Sequence, residues 1–182
     1  AEKYMGDSEC KVVVTNYNKG TPEYLSVKKY GWFKTMEATG SLPIAIRAYC
    51  EIAGKKYIDG GLSDPLPVKR AYEWGYKNIV LLRTNPIDIT PNWNIESLYA
   101  PFIYKDNPKL QNLIVNNSKI YEIEQKYISN HPRDLNLFQI APSAELRCGI
   151  ISNKSEDLQR DYRHGLESGL DAIPQLMSRL SH

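Results

Sequence analysis

Asp59 is followed at once by Gly60 and Gly61, then by Leu62-Ser63-Asp64-Pro65-Leu66-Pro67. A carboxylate beside two residues without side chains suits acid–base chemistry. Glycines let the backbone take positive φ and let a ligand or a second segment come close. In that position Asp59 is presented rather than hidden, which suits a catalytic acid or base. The same string suits a plain turn, because Asp and Gly populate turns for local reasons. On three residues alone both readings stand.

The other groups that could do chemistry are sparse. Ser41 and Ser63 flank the string, and each reads as a turn or capping residue rather than a nucleophile. No G-x-S-x-G element is present; the nearest string, Gly61-Leu62-Ser63-Asp64, is followed by Pro65 where the pattern needs glycine. No glycine-rich loop offers a set of backbone N–H groups to an oxyanion or to a phosphate. His131, His164 and His182 are scattered, with neither metal-ligand nor triad spacing, and read as surface residues. Asp59 with Asp64 is too small a ligand set for a hard cation. Cys10, Cys50 and Cys148 are odd in number and widely spaced, which reads as reduced thiols of a cytosolic protein. No metal and no organic cofactor is expected.

The elements that must position Asp59 follow from local pattern. Lys11 to Tyr17 is a β-branched, buried strand. A turn at Asn18 to Pro22 returns it as a second strand over Glu23 to Val27. Trp32 to Ala38 is a short helix stopped by Thr39-Gly40-Ser41, and Leu42-Pro43 sets an extended exit. Tyr49 to Ile52 and Lys56 to Ile58 flank Ala53-Gly54-Lys55 as a hairpin that delivers Asp59. Pro67 opens a helix, with Gly75 at its C′ position. Asn78 to Thr84 is a nearly continuous apolar run, read as a strand buried on both faces. Strand, turn, helix, glycine and strand in that order make a βαβ pattern.

Downstream, prolines divide residues 85 to 108 into loop, a short helix over Ile95 to Tyr104, and loop. Lys109 to Ser129 is the longest helical pattern, ended by Asn130-His131-Pro132. Leu135 to Pro142 is a last strand. Ser155-Glu156-Asp157 caps a final helix, broken near Gly165 and Gly169 and continuing to Leu180. No linker or repeat divides the chain, so residues 1–182 read as one domain. The fold class is α/β: a mostly parallel sheet covered by helices, with a helical C-terminal region.

Composition narrows the function classes. The 182 residues include 23 Lys+Arg against 21 Asp+Glu, a net charge of +2 that argues against a nucleic-acid partner. No run of about 18 apolar residues is present to span a membrane. Thirteen tyrosines against three phenylalanines give rings that bury while their hydroxyls stay wet. The Lys28-Lys29-Tyr30 and Trp32-Phe33 patch is a candidate for contact with lipid headgroups. Lys105, Lys109, Lys119 and Lys126 are interrupted by Glu122 and Glu124, so that stretch reads as a solvated face.

Ala38-Thr39-Gly40-Ser41-Leu42-Pro43, the run from Gly54 through Asp59-Gly60-Gly61 to Val68, then Ala71, Gly75 and Ile79 to Thr84, resemble the second half of a patatin-like phospholipase. Phe138 to Ser143 and Leu158, Tyr162 and Gly165 resemble the bacterial branch of that family. The likeness runs from about Val12 to the C-terminal helix. It implies a patatin-like fold, present in part, and a serine acyl hydrolase with a Ser–Asp dyad. Asp59 would be the dyad aspartate, supported by the Gly60 and Gly61 loop, with the serine and oxyanion glycines upstream of this chain. This chain alone would be inactive. The implied substrate is a lipid or other acyl ester, and the implied setting is cytoplasmic or peripheral to a membrane. A missing N-terminal half or self-association would cover the sheet edge left open. The rival reading is a non-catalytic scaffold or lipid-binding domain on the same fold.

Overall fold

The computed structural model describes residues 8–42, 49–91, 100, 102, 104–148 and 154–180. The chain gathers into two compact units, residues 1–69 with 92–129, and residues 70–91 with 130–182. The expected helix over Ile95 to Tyr104 and the exit at Pro43 lie largely outside the described residues.

The first unit is built on two hairpins. Strand β1, Lys11–Asn16, turns back as β2, Thr21–Ser26, and the two pair antiparallel from Lys11 opposite Ser26 to Asn16 opposite Thr21. Helix α1, Val27–Tyr30, and helix α2, Trp32–Thr39, follow, with Gly40 capping α2 through Met36 O. Strand β3, Cys50–Ile52, and strand β4, Lys55–Asp59, are joined by Ala53 and Gly54, both at positive φ. Two positive-φ residues form the tight turn whose twist matches antiparallel strands. β4 also pairs antiparallel with β1, which gives the sheet order β2-β1-β4-β3.

Alternation along β1 and β4 divides the core between the two sheet faces. Val12, Val14 and Tyr57 join Leu25, Val27, Ala38, Cys50 and Ile52 in one cluster, against which Trp32 and Met36 of α2 pack. Ile58, on the opposite face, joins Leu62, Tyr104, Leu110 and Ile114. Leu110 and Ile114 belong to α4, Pro108–Val115, whose first turn is capped by the Asn107 side chain. Helix α5, Asn117–Ser129, follows after Asn116. The single helix expected from Lys109 is thus two: Asn116 caps α4, and its side-chain amide donates to Asn112 O at 2.8 Å.

Helix α3, Val68–Glu73, begins directly after Pro67, and Gly75 takes φ +95° two residues past its end. In the second unit, β5, Asn78–Leu82, pairs in parallel with β6, Asn136–Ile140, with Asn78 opposite Asn136 and Leu82 opposite Ile140. Helix α6 runs unbroken from Ser155 to Leu180 and is the longest described helix. Gly165 and Gly169 do not interrupt it, because a helical glycine costs only about 1 kcal/mol. Asp161, which accepts from Cys148 N at 2.8 Å, and His164, which bonds Ser143 Oγ at 2.9 Å, tie its middle to the preceding loop.

The architecture is mixed α/β, and three expectations need correction. The larger sheet is antiparallel, not mostly parallel, because both of its hairpins close through tight turns. The βαβ pattern does not form within one sheet, since β4 pairs with β1 and β3 whereas β5 pairs with β6. Nor is β5 buried on both faces: Asn78, Val80 and Leu82 are exposed, Leu82 by 72%. Among the described residues no helix is long and apolar enough to cross a membrane.

Candidate functional site

Asp59 ends β4 opposite Val14 of β1. Its own N–H donates to Ser41 O at 3.1 Å, and its carbonyl accepts the Thr15 hydroxyl at 2.7 Å. The backbone is therefore held from two sides. The side chain then caps the 3-10 turn Gly60–Leu62, its Oδ1 accepting from Gly61 N at 2.8 Å. Asp59 is half-buried, and burial pushes its carboxyl above the ordinary aspartate range, partly offset by the Gly61 N–H. A carboxylate so desolvated is a stronger base than one in water.

The two glycines act differently from the sequence expectation. Neither has positive φ. Gly60 is required by crowding: a Cβ there would lie 2.1 Å from Val13 O and 2.4 Å from Val13 C. Gly61 has more room, since its Cβ would meet Asp59 Oδ1 at 3.3 Å.

The two flanking serines are committed to structure. Ser41 is buried and donates to Glu37 O at 2.7 Å, one turn back along α2. Ser63 Oγ lies 2.8 Å from Thr15 Oγ1. Because the Thr15 proton goes to Asp59 O, the proton between the two hydroxyls must come from Ser63. Ser63 is thus a donor in a hydroxyl chain that ends on the Asp59 carbonyl. His131 and His164 bond Pro132 O and Ser143 Oγ, within the second unit.

A second acidic group lies just beyond the turn. Asp64 is buried and accepts the Tyr24 hydroxyl from β2. Glu124 of α5 lies near enough to feel the Asp64 charge, and Glu124 Oε2 accepts from Leu66 N at 2.7 Å. Burial, followed by the hydrogen bond to Asp64 and the charge of Asp64, pushes the Glu124 carboxyl up to about 9. Glu124 therefore keeps its proton at neutral pH. Asn117, fully buried one heptad before Glu124, donates to Gly61 O at 3.1 Å and Leu62 O at 3.0 Å.

Sequence reasoning treated Glu124 as part of a solvated face and passed over Asn117 and Thr15. The available signal was the stripe Asn117, Tyr121, Glu124 and Ile128, four positions that share one helix face. Asn117, Tyr121 and Ile128 are buried. Two polar residues on an inward stripe need partners, and they find them in the Gly61–Leu66 loop. Elsewhere in this unit a cavity of about 380 Å³ is lined by Tyr17, Asn18, Tyr104, Asp106, Asn107, Pro108 and Lys109. Asp59 does not line it. Among the described residues no group of three or more His, Cys, Asp or Glu side chains gathers as a metal site.

Residues 107–181 match the family model of a domain of unknown function, DUF6363. The chain is 30% identical over 146 residues to an uncharacterized protein, YjjU, of Escherichia coli strain K12. That similarity covers 79% of this chain and 41% of the relative, so the chain spans about two fifths of the length of the protein it matches. These matches overturn the resemblance to patatin-like phospholipases, for neither points to that family. Local packing accounts for much of the Asp-Gly-Gly string that suggested it. Asp59 caps its own turn, and Gly60 is fixed by the Val13 backbone.

Proposed function

We propose that Asp59 is the proton-accepting carboxylate of a hydrolytic site that cleaves acyl esters through a hydroxyl nucleophile supplied by another part of a longer polypeptide. One observation carries the reading: a half-buried carboxylate, desolvated enough to be raised in pKa, on a backbone pinned by Thr15 and Ser41. A serine hydroxyl is a weak nucleophile at its own pKa and gains from such a base. Ser41 and Ser63 are engaged in hydrogen bonds, which supports a nucleophile from elsewhere. The lipid or acyl-ester substrate and a companion segment of chain belong to the same proposal, and the 41% coverage of the longer relative supports the companion. A cytoplasmic or membrane-peripheral setting belongs to the same proposal. The buried Cys50, whose thiol is pushed up by burial, fits a protein of inert, reduced thiols there.

The test is Asp59→Asn in the full-length protein, assayed on p-nitrophenyl butyrate. Asparagine keeps an oxygen for Gly61 N, so the turn survives while the base is lost. Turnover should fall by roughly 10²-fold or more, the usual scale for general-base catalysis. The isolated 182-residue chain should show no turnover. A full-length variant that keeps most of its activity overturns the role given to Asp59. The rival reading, a non-catalytic binding domain, predicts no hydrolysis by the full-length protein with or without the substitution.

A further inference from the structure

Helix α6 turns its apolar side outward. Leu158, Tyr162, Leu166, Leu170, Ile173 and Met177 recur in steps of four or three, so they share one face. Each of the six is at least 49% exposed. The polar side is the one that meets the rest of the unit. Asp161 accepts from Cys148 N, His164 bonds Ser143 Oγ, and Arg179 Nη1 donates to Leu137 O. A large side chain presents roughly 200 Å² when fully exposed, so six at about half exposure leave roughly 600–700 Å² of apolar surface. Scattered exposed leucines are ordinary, but a continuous patch of this size marks an interaction surface.

We infer that this stripe is the contact through which two copies of the chain associate, α6 lying antiparallel on α6. The area fits a second copy: roughly 600–700 Å² from each side falls within the standard interface, which buries about 1,200–2,000 Å² in total. The charges fit an antiparallel helix of the same sequence. The first turn of α6 carries Glu156 and Asp157 and the last turn carries Arg179, so each acidic end lies beside a basic one. The two helix dipoles also oppose each other favourably. An anionic lipid surface fits worse, because acidic residues outnumber basic ones along Ser155–Leu180, whereas interfacial helices are rich in Lys and Arg. The glycines fit a close crossing. Gly165 and Gly169 follow Tyr162 and Leu166 by three residues and so border the stripe. Among the described residues a Cβ at either would meet nothing within 4 Å, so no neighbour in the chain calls for glycine there. A second backbone drawn close does call for it. A two-fold axis near the middle of the stripe sets Leu166 against Leu170, Tyr162 against Ile173 and Leu158 against Met177, one patch serving both copies. None of this depends on the role proposed for Asp59.

Size-exclusion chromatography with light scattering reads the association directly. The 182-residue chain at micromolar concentration should show twice its monomer mass. Leu166→Gln together with Leu170→Gln should raise the dissociation constant by roughly 30-fold or more, the scale of central interface residues. The circular dichroism should stay that of the parent, because both side chains are already exposed. Leu82→Gln, an exposed apolar position on β5, should leave the dimer intact. Photo-crosslinking from Tyr162→p-benzoylphenylalanine should capture the peptide around Ile173 of the other copy. A monomeric chain, a dimer that survives the double change, a dimer lost on Leu82→Gln alone, or a cross-link to the peptide around Tyr162 overturns the inference. The full-length protein should dimerise and respond to the same double change. A monomeric full-length protein overturns the inference in favour of a contact within the longer polypeptide.

Discussion

Gly60→Ala separates packing from chemistry at the Asp59 turn. An alanine Cβ would lie 2.1 Å from Val13 O, 2.4 Å from Val13 C and 2.9 Å from Val13 Cβ. Ordinary contact between such atoms needs about 3.5 Å, so β4 and β1 must part by roughly 1 Å or more at this point. Both sides of the clash are backbone, so no rotamer change relieves it. Parting the strands strains three hydrogen bonds at once: Thr15 Oγ1 to Asp59 O, Asp59 N to Ser41 O, and Asp64 N to Gly60 O. Overpacking costs about 1–3 kcal/mol, and the three weakened hydrogen bonds together add about 2 kcal/mol. The expected loss is about 3–5 kcal/mol, a large share of the stability of a single domain. Urea denaturation followed by circular dichroism reads it as a midpoint lower by about 1.5–2.5 M, for a slope near 2 kcal/mol/M. Gly61→Ala is the control. Its Cβ meets only the Asp59 Oδ1 end at 3.3 Å, which a small side-chain shift relieves, so the loss should stay below about 1 kcal/mol. Equal losses for the two variants, or a Gly60→Ala loss below 1 kcal/mol, would refute the packing account.

Two further predictions concern stability. Glu124 rises from its ordinary 4.5 to about 9, chiefly through burial and then through Asp64, so the folded chain keeps a proton that the unfolded chain releases. Its contribution favours folding fully below pH 4.5 and is lost progressively as pH rises towards 9. Glu124→Gln is neutral at every pH. Its unfolding free energy should match that of the parent near pH 4.5 and exceed it near pH 9 by on the order of 1–2 kcal/mol, a figure discounted for partial exposure. A difference independent of pH would refute the raised Glu124 carboxyl. Ala53 is an exposed, non-glycine residue at φ +50° in the β3–β4 turn. Ala53→Asn suits that geometry and should stabilise the chain by roughly 0.5–1 kcal/mol. An unchanged or lower melting temperature would count against it.

Local pattern carried the reading as far as local forces reach. The β-branched run Val12-Val13-Val14 and the turn before Pro22 specified the first hairpin, and Ala53-Gly54 specified the second. Gly40 marked the end of α2, and His131-Pro132 the end of α5. Pairing between distant strands was less legible. An apolar run such as Ile79 to Leu82 has the same composition whether a sheet is covered on both faces or on one, and here β5 is partly open. Helix continuity was misjudged in both directions. Asn116 breaks a strong helical pattern through its own side chain, whereas Gly165 and Gly169 stay helical within α6, whose middle is tied by Asp161 and His164.

The Asp59 turn shows why the family resemblance misled. Glycine is demanded both where φ is positive and where two backbones nearly touch, and a sequence does not distinguish the two cases. Gly60 belongs to the second, so its presence records the approach of β1 and says nothing about a nucleophile. What bears on chemistry is the carboxylate beside it, and its restraint comes from farther away. Thr15 lies 44 residues upstream, and Asn117 lies 56 residues beyond the Gly61 carbonyl that it holds. Partners so distant leave no local signature; their trace is a polar residue on a stripe that ought to be apolar. If Asp59 acts as a base, its competence depends on Asn117 and Glu124 as much as on the string that first drew attention to it.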